Sequence, residues 1–206
     1  MNTETIETLI KSLHRNRIHA KYYKTQDELL ASISEHFNSG AIVGVGDSQT
    51  LEALGIYNLL KTKEVEFLDK YKTGQSREEK NLLYRRNFSA DIFISGINAI
   101  TLEGKIFNLD GNGSRVAPII YGPKKVLLVC GTNKIVKNDE EAVVRIKNIA
   151  APIDAKRLNK KTPCVKTGRC MNCSSTDKIC NYYTIIQGQF DENRIEVFVI
   201  DGEYGY

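Results

Sequence analysis

Four of the five cysteines in this chain fall within seventeen residues, in the order Cys164-x5-Cys170-x2-Cys173-x6-Cys180. Thiols clustered in this way do metal chemistry, because a soft ion needs several thiolates converging at about 2.3 Å. The Cys-x2-Cys step puts two sulfurs on one tight turn, and Gly168, Ser174 and Ser175 let the flanking loop bring in the other two. Lys166, Arg169 and Lys178 are expected to favour thiolate and lower the thiol pKa values. The spacing fits either a [4Fe–4S] iron–sulfur cluster or a four-thiolate zinc site. It is neither the x2, x2, x3 run of a ferredoxin nor the paired Cys-x2-Cys knuckles of a zinc ribbon, so it does not choose between them. The plain alternative is a set of free thiols, or of disulfides formed on exposure to air. Cys130 ends an apolar run and reads as a small core residue.

A second group of polar residues follows apolar runs. Gly44 and Gly46-Asp47-Ser48-Gln49-Thr50 close the run at 41–45, Ser95-Gly96-Ile97-Asn98 the run at 91–94, and Gly131-Thr132-Asn133-Lys134 the run at 125–129. In open α/β sheets ligands sit at the carboxyl ends of strands, so three such ends predict one cleft. Backbone amides at a helix start, with Ser48 and Thr50, suit a carboxylate or phosphate. The plainer reading of Asp47 or Ser48 is a helix cap. Asp110, Gly111, Asn112, Gly113 and Arg115 lie on a glycine-rich loop that could close over the cleft. Arg115 could equally make an ion pair with Asp110, and Lys134 could equally be a surface lysine. Asp47, Asp110 and Glu103 are the acid–base candidates, but none has a partner visible in the sequence. No nucleophile elbow, Walker loop or other catalytic set is present.

The elements that must carry these residues alternate. Helical spacing marks 3–14, 26–37, 49–54, 56–60, 76–87, 114–121 and 139–149, with cap signals at Thr25 and Ser76. Strand patterns mark 20–23, 41–45, 65–68, 91–95, 105–108 and 125–129. This order predicts an α/β fold with a mostly parallel, Rossmann-like sheet covered by helices on both faces. Residues 1–150 read as the core of a single domain, and 151–206 as a cysteine-bearing extension whose strands at 182–187 and 195–200 form a short β-hairpin.

The 206 residues are enough for one sizeable core. A net charge of +4, with basic residues spread along the chain, is not a nucleic-acid signature. The basic run at 156–166 reads as a solvated face, or as compensation for an anionic thiolate centre or a dock for an acidic partner. No apolar run is long enough to span a membrane, and the polar amphipathic start is not a signal peptide. A cytoplasmic protein is therefore expected, where thiols stay reduced.

Taken together, Val43-Gly44-Val45-Gly46-Asp47-Ser48-Gln49-Thr50, Asp91-Ile92-Phe93-Ile94-Ser95-Gly96-Ile97-Asn98-Ala99-Ile100-Thr101 and Asn108-Leu109-Asp110-Gly111-Asn112-Gly113-Ser114-Arg115 resemble the LUD (lactate utilization) domain family. Tyr121-Gly122-Pro123-Lys124-Lys125-Val126, Gly131-Thr132-Asn133-Lys134-Ile135-Val136 and the stretch from Thr162 to Asn181 extend the likeness over nearly the whole chain. The resemblance implies a NagB/RpiA/CoA-transferase-like fold and a part in lactate or organic-acid oxidation. It tilts the metal toward iron–sulfur. Some family members in iron–sulfur complexes that oxidise lactate to pyruvate carry a separate ferredoxin-like module, which this chain lacks. Gly46 to Thr50 also resembles the phosphate loop of ribose-phosphate isomerases, and Ser95 to Ile100 a segment in which sugar-phosphate isomerases use an acid. Asn98 stands there instead, which argues against that chemistry. A CoA transferase would need a nucleophilic glutamate, and none can be placed.

The expected function is thus a component of lactate or organic-acid oxidation with a metal centre at Cys164, Cys170, Cys173 and Cys180, for electron transfer or partner docking. One alternative is a small-molecule enzyme or binding protein with a structural zinc; another is a non-catalytic assembly or regulatory subunit. A small anionic metabolite and a redox protein are the expected partners, and a homodimer is one candidate assembly.

Overall fold

The computed structural model describes residues 2–206. Six strands form an all-parallel sheet in the order β1-β10-β7-β4-β2-β3: β1 (His19–Tyr23), β2 (Ile42–Val45), β3 (Glu66–Phe67), β4 (Ile92–Gly96), β7 (Lys125–Gly131) and β10 (Ile195–Ile200). Alternation along the strands explains its two packed faces. Val126, Leu128 and Cys130 of β7 and Val197 and Val199 of β10 join Ile6, Leu9 and Leu13 of α1 (Thr3–Arg15). Leu127 and Val129 of β7 and Phe198 and Ile200 of β10 face the other way, toward α2 (Gln26–Ser34), α3 (Gln49–Ala53) and α4 (Ile56–Lys61). Full burial of each such side chain contributes about 1.5–3 kcal/mol before entropy is counted.

The helix starts follow the cap signals. Thr25 and Ser76 each close a capping box, with Glu28 and Glu79, on α2 and α5 (Arg77–Arg86). The first of these helices is shorter than its apolar pattern predicts and ends at Ser34. Among the described residues no helix is long and apolar enough to cross a membrane.

A second, smaller sheet was not expected. β5 (Ala99–Thr101), β6 (Ile106–Asp110), β8 (Ile135–Val136) and β9 (Tyr182–Ile186) assemble in the order β8-β5-β6-β9. It grows from the carboxyl ends of β4 and β7, so it stands beside the cleft those ends form. The expected C-terminal hairpin is corrected here. β9 pairs antiparallel with β6, whereas β10 inserts between β1 and β7 in the main sheet. The segment after residue 150 therefore supplies an interior strand of the main sheet. All six residues of β10 are buried, as a strand covered on both faces requires.

After α6 (Val116–Ile120), the helical run that starts at α7 (Asp139–Arg145) also extends beyond its predicted end. A π-helical turn, Ile146–Ala150, leads into α8 (Ala151–Arg157). Pro152 has no N–H to continue the α-helical ladder, and the π turn sits just before it.

Candidate functional site

The strand order reverses between β4 and β2, and a cleft of about 450 Å³ opens at the carboxyl ends there. Of the expected site residues, Asp47, Ser48, Thr50, Gly96, Asn98, Asp110, Gly111, Arg115 and Lys134 line it. Gly44, Gly46, Ser95, Gly113, Gly131 and Asn133 do not, and several of them build the wall behind it. A Cβ at Gly46 would lie 2.6 Å from Ser95 Oγ and 2.8 Å from Arg115 Cγ, and one at Gly96 would run into Ser48 Oγ. Asn133 donates to the carbonyl of Gly205 at 3.0 Å and so ties down the C-terminal segment. Glu103 lies away from the cleft, on the β5–β6 turn, where it pairs with Lys105 at 2.8 Å.

Arg115 is clamped inside the protein. Its Nη1 donates to Gly96 O (3.0 Å) and Asn108 Oδ1 (2.8 Å), and its Nη2 to Asn98 Oδ1 and Leu109 O (both 2.8 Å). All four Nη hydrogens are thereby used, so Arg115 offers the cleft charge more than hydrogen bonds. The Asp110 carboxylate approaches Arg115 Nε at 3.9 Å, and it also accepts from the amides of Asn112, Gly113, Arg115 and Val116 at 3.0–3.3 Å. The glycine-rich loop is thus pinned to one carboxylate. Ser48 caps α3 by accepting from Leu51 N at 3.3 Å, as the plainer reading held.

Lys134 is not a surface lysine. It is 3% exposed, its Nζ donates to Thr50 Oγ1 at 2.6 Å, and among the described residues no carboxylate forms an ion pair with it. Thr50 gives its own proton to Tyr204 O at 3.0 Å. Burial, with Arg145 and Arg115 nearby, pushes the Lys134 amine down to about 7.

The sequence reading missed Lys70, Asp154, Arg157 and Tyr206, which also line the cleft. Arg157 bridges Asp47 (3.1 Å) and Asp154 (2.8 Å), and Tyr206 Oη donates to Asp154. Asp47 also accepts from Tyr71 Oη at 3.0 Å; burial opposes its charge, but Lys70 and Arg157 hold its carboxyl below the usual range. Lys70 itself is lowered to about 8, chiefly by burial. In all, six cationic side chains and three carboxylates line the cleft, so the site favours an anion.

A second cavity of about 270 Å³ holds all four clustered cysteines on its wall, together with Met171 and Tyr183. It shares Leu109, Ala151, Lys178 and Ile179 with the cleft. The β6–β9 pairing brings the two together: Asn181 N donates to Asp110 O at 3.0 Å and Asn181 Nδ2 to Gly111 O at 2.9 Å, which places Cys180 beside the cleft loop. Gly168 (φ 70°) and Asn172 (φ 49°) supply the left-handed turns on either side of Cys170. Cys170 Sγ accepts from Asn172 N at 3.4 Å, and Cys164 Sγ lies 3.2 Å from Thr162 Oγ1. The expected lowering does not hold for Cys180: burial pushes its thiol up, and negative charge on Cys170, Cys173 and Cys164 adds to this, outweighing Lys178. Among the described residues no three Cys, His, Asp or Glu side chains converge tightly enough to hold one ion. Cys130 is buried in the core.

The LUD domain matches residues 6–200 of this chain. The chain belongs to the LUD domain family. Membership supports a lactate-utilization-related protein. No curated protein matches it. Among solved structures it is similar to a DUF162 family protein from Deinococcus radiodurans, with a TM-score of 0.54, 15% identity and 96% of each chain covered. Ribose 5 phosphate isomerase A from Neisseria gonorrhoeae overlaps at a TM-score of 0.34, with 18% identity over 56% of each chain. The eIF2B beta protein from Chaetomium thermophilum overlaps at a TM-score of 0.38, with 14% identity over 56% of this LUD chain and 44% of its own.

Proposed function

We propose that this LUD protein is a component of lactate or related organic-acid oxidation, binding a small carboxylate or phosphate in the strand-end cleft beside an iron–sulfur cluster held by Cys164, Cys170, Cys173 and Cys180. The observation that carries the reading is the shared wall: Leu109, Ala151, Lys178 and Ile179 face both the cationic cleft and the four-thiol cavity. A cluster there would exchange single electrons with a redox partner. The protein's own part is to hold the anion by charge and to keep the thiols on one wall.

The choice of a cluster over zinc rests on the family likeness, since four thiols on one wall suit either centre.

Anaerobic purification and reconstitution test this. The expected result is a brown protein with broad visible absorbance and about four irons per chain, lost when the four cysteines are replaced by serine. A colourless protein carrying one zinc per chain would refute the electron-transfer role.

A further inference from the structure

Lys134 stands apart from the other cations of the cleft. It lines the cleft just past the end of β7, and among the described residues it makes a single hydrogen bond and no ion pair with a carboxylate. Structural lysines buried this deeply are normally paired. Its neighbours deny it a counter-charge: Arg145 and Arg115 repel a proton on Nζ, and the buried Cys130 thiol, itself pushed up to about 12, stays neutral. Thr50 Oγ1, having given its own proton to Tyr204 O, can only accept from Nζ. One N–H of the amine is therefore fixed toward Thr50, and the remaining valences are left to the cleft.

We propose that Lys134 is a nucleophile that condenses with the carbonyl carbon of a small anionic aldehyde or ketone held in this cleft, forming an imine. The step balances without any oxidant: Nζ forms the C–N bond, and the carbonyl oxygen leaves as water with one amine hydrogen and one proton from solvent, so the iminium nitrogen keeps the N–H that faces Thr50. The surrounding charge selects an anion, because Lys70 and Lys178 line the same cleft without ion-pairing to a carboxylate among the described residues. The chemistry is that of a carbonyl next to an acidic group, whether a 2-oxo carboxylate or a keto phosphate. Thr50 acts as a positioning residue. The inference rests on the anion reading of the cleft and adds a covalent step to it.

The test uses the full chain at neutral pH with pyruvate, dihydroxyacetone phosphate or neutral acetone, followed by cyanoborohydride reduction and peptide mapping by mass spectrometry. The expected product is one adduct per chain on Lys134, from whichever anion binds. It should form about tenfold or more faster than on any surface lysine, whose amine is almost wholly protonated at neutral pH. Trapping by pyruvate alone identifies a carboxylate ligand, and trapping by the phosphate alone a phosphate ligand; both support the proposal. Adducts on Lys70 or Lys178, equal labelling of all lysines, or acetone reacting as fast as the anions would overturn it. An anion that binds by calorimetry yet leaves no adduct overturns the imine and spares the anion site, whereas absence of binding removes both. Lys134→Arg should abolish the adduct while its unfolding midpoint shows that the fold persists.

Discussion

The protonation of Lys134 should make stability depend on pH in a way that one substitution removes. In the folded protein its amine is pushed down to about 7, and in the unfolded chain it returns to its ordinary value of 10.5. Between those values the unfolded chain binds the extra proton, so stability rises with pH across the window and is flat in this respect below it. The difference of about 3.5 units corresponds to about 5 kcal/mol over the whole window, and to roughly 3 kcal/mol by pH 9. Other groups titrate in the same range, which makes the comparison with Lys134→Met the informative one. Urea unfolding of both proteins from pH 7 to pH 10 should give curves that diverge, with the wild type gaining on the variant by roughly 3 kcal/mol at pH 9. Parallel pH curves for the two proteins would refute the account of Lys134 as a buried, unpaired amine.

Arg115→Ala should lose four hydrogen bonds at about 1 kcal/mol each and leave buried acceptors on Gly96, Asn98, Asn108 and Leu109, lowering stability by about 4 kcal/mol in urea titrations. Arg115→Lys should recover only part of that, since one ammonium cannot reach all four acceptors; a variant within about 1 kcal/mol of wild type would contradict the clamp. Gly46→Ala should cost about 1–3 kcal/mol, because the new methyl meets Ser95 and Arg115; an unchanged melting temperature would show that the wall yields. Single Cys→Ser changes at residues 164, 170, 173 and 180 should each lower the iron bound on anaerobic reconstitution, whereas Cys130→Ala should keep the iron and lower stability instead, by loss of core packing.

Much of the frame is legible in the sequence because it obeys local rules. The β7 strand is a continuous apolar run, and Thr25 and Ser76 announce helix starts with a glutamate three residues on. The strand-end glycines marked the cleft because a side chain at Gly46 or Gly96 would occupy space already taken. What was not legible depends on non-local pairing. β9 exposes Tyr182, Tyr183 and Ile185, so its sequence carries no clean alternation to say which strand it joins. Its nearness in sequence to β10 favoured a hairpin, although the unbroken apolar character of β10 is the signature of an interior parallel strand. Asp154 and Arg157 were missed because Pro152 reads as a helix end, while the chain passes it through a π turn and continues. Lys70 sits on a connecting loop with no pattern to mark it. Lys134 was found by position, but its burial follows from Thr50 and Tyr204, 84 and 70 residues away in the chain.

The cleft and the cysteines are joined by the small sheet, and this constrains what the site can be for. β6 carries Asp110, whose carboxylate pins the glycine-rich loop, and β9, laid along β6, delivers Cys180 to the same place. A structural metal site could stand anywhere on the surface that needed pinning. Here the sheet register sets the thiol cavity against the cationic cleft with only four shared residues between them. The same cleft retains a buried amine without a counter-charge, which opposes folding at neutral pH. With the proposed anion bound, the Lys134 amine and the four-thiol wall would stand on either side of Lys178 and Ile179, which line both cavities.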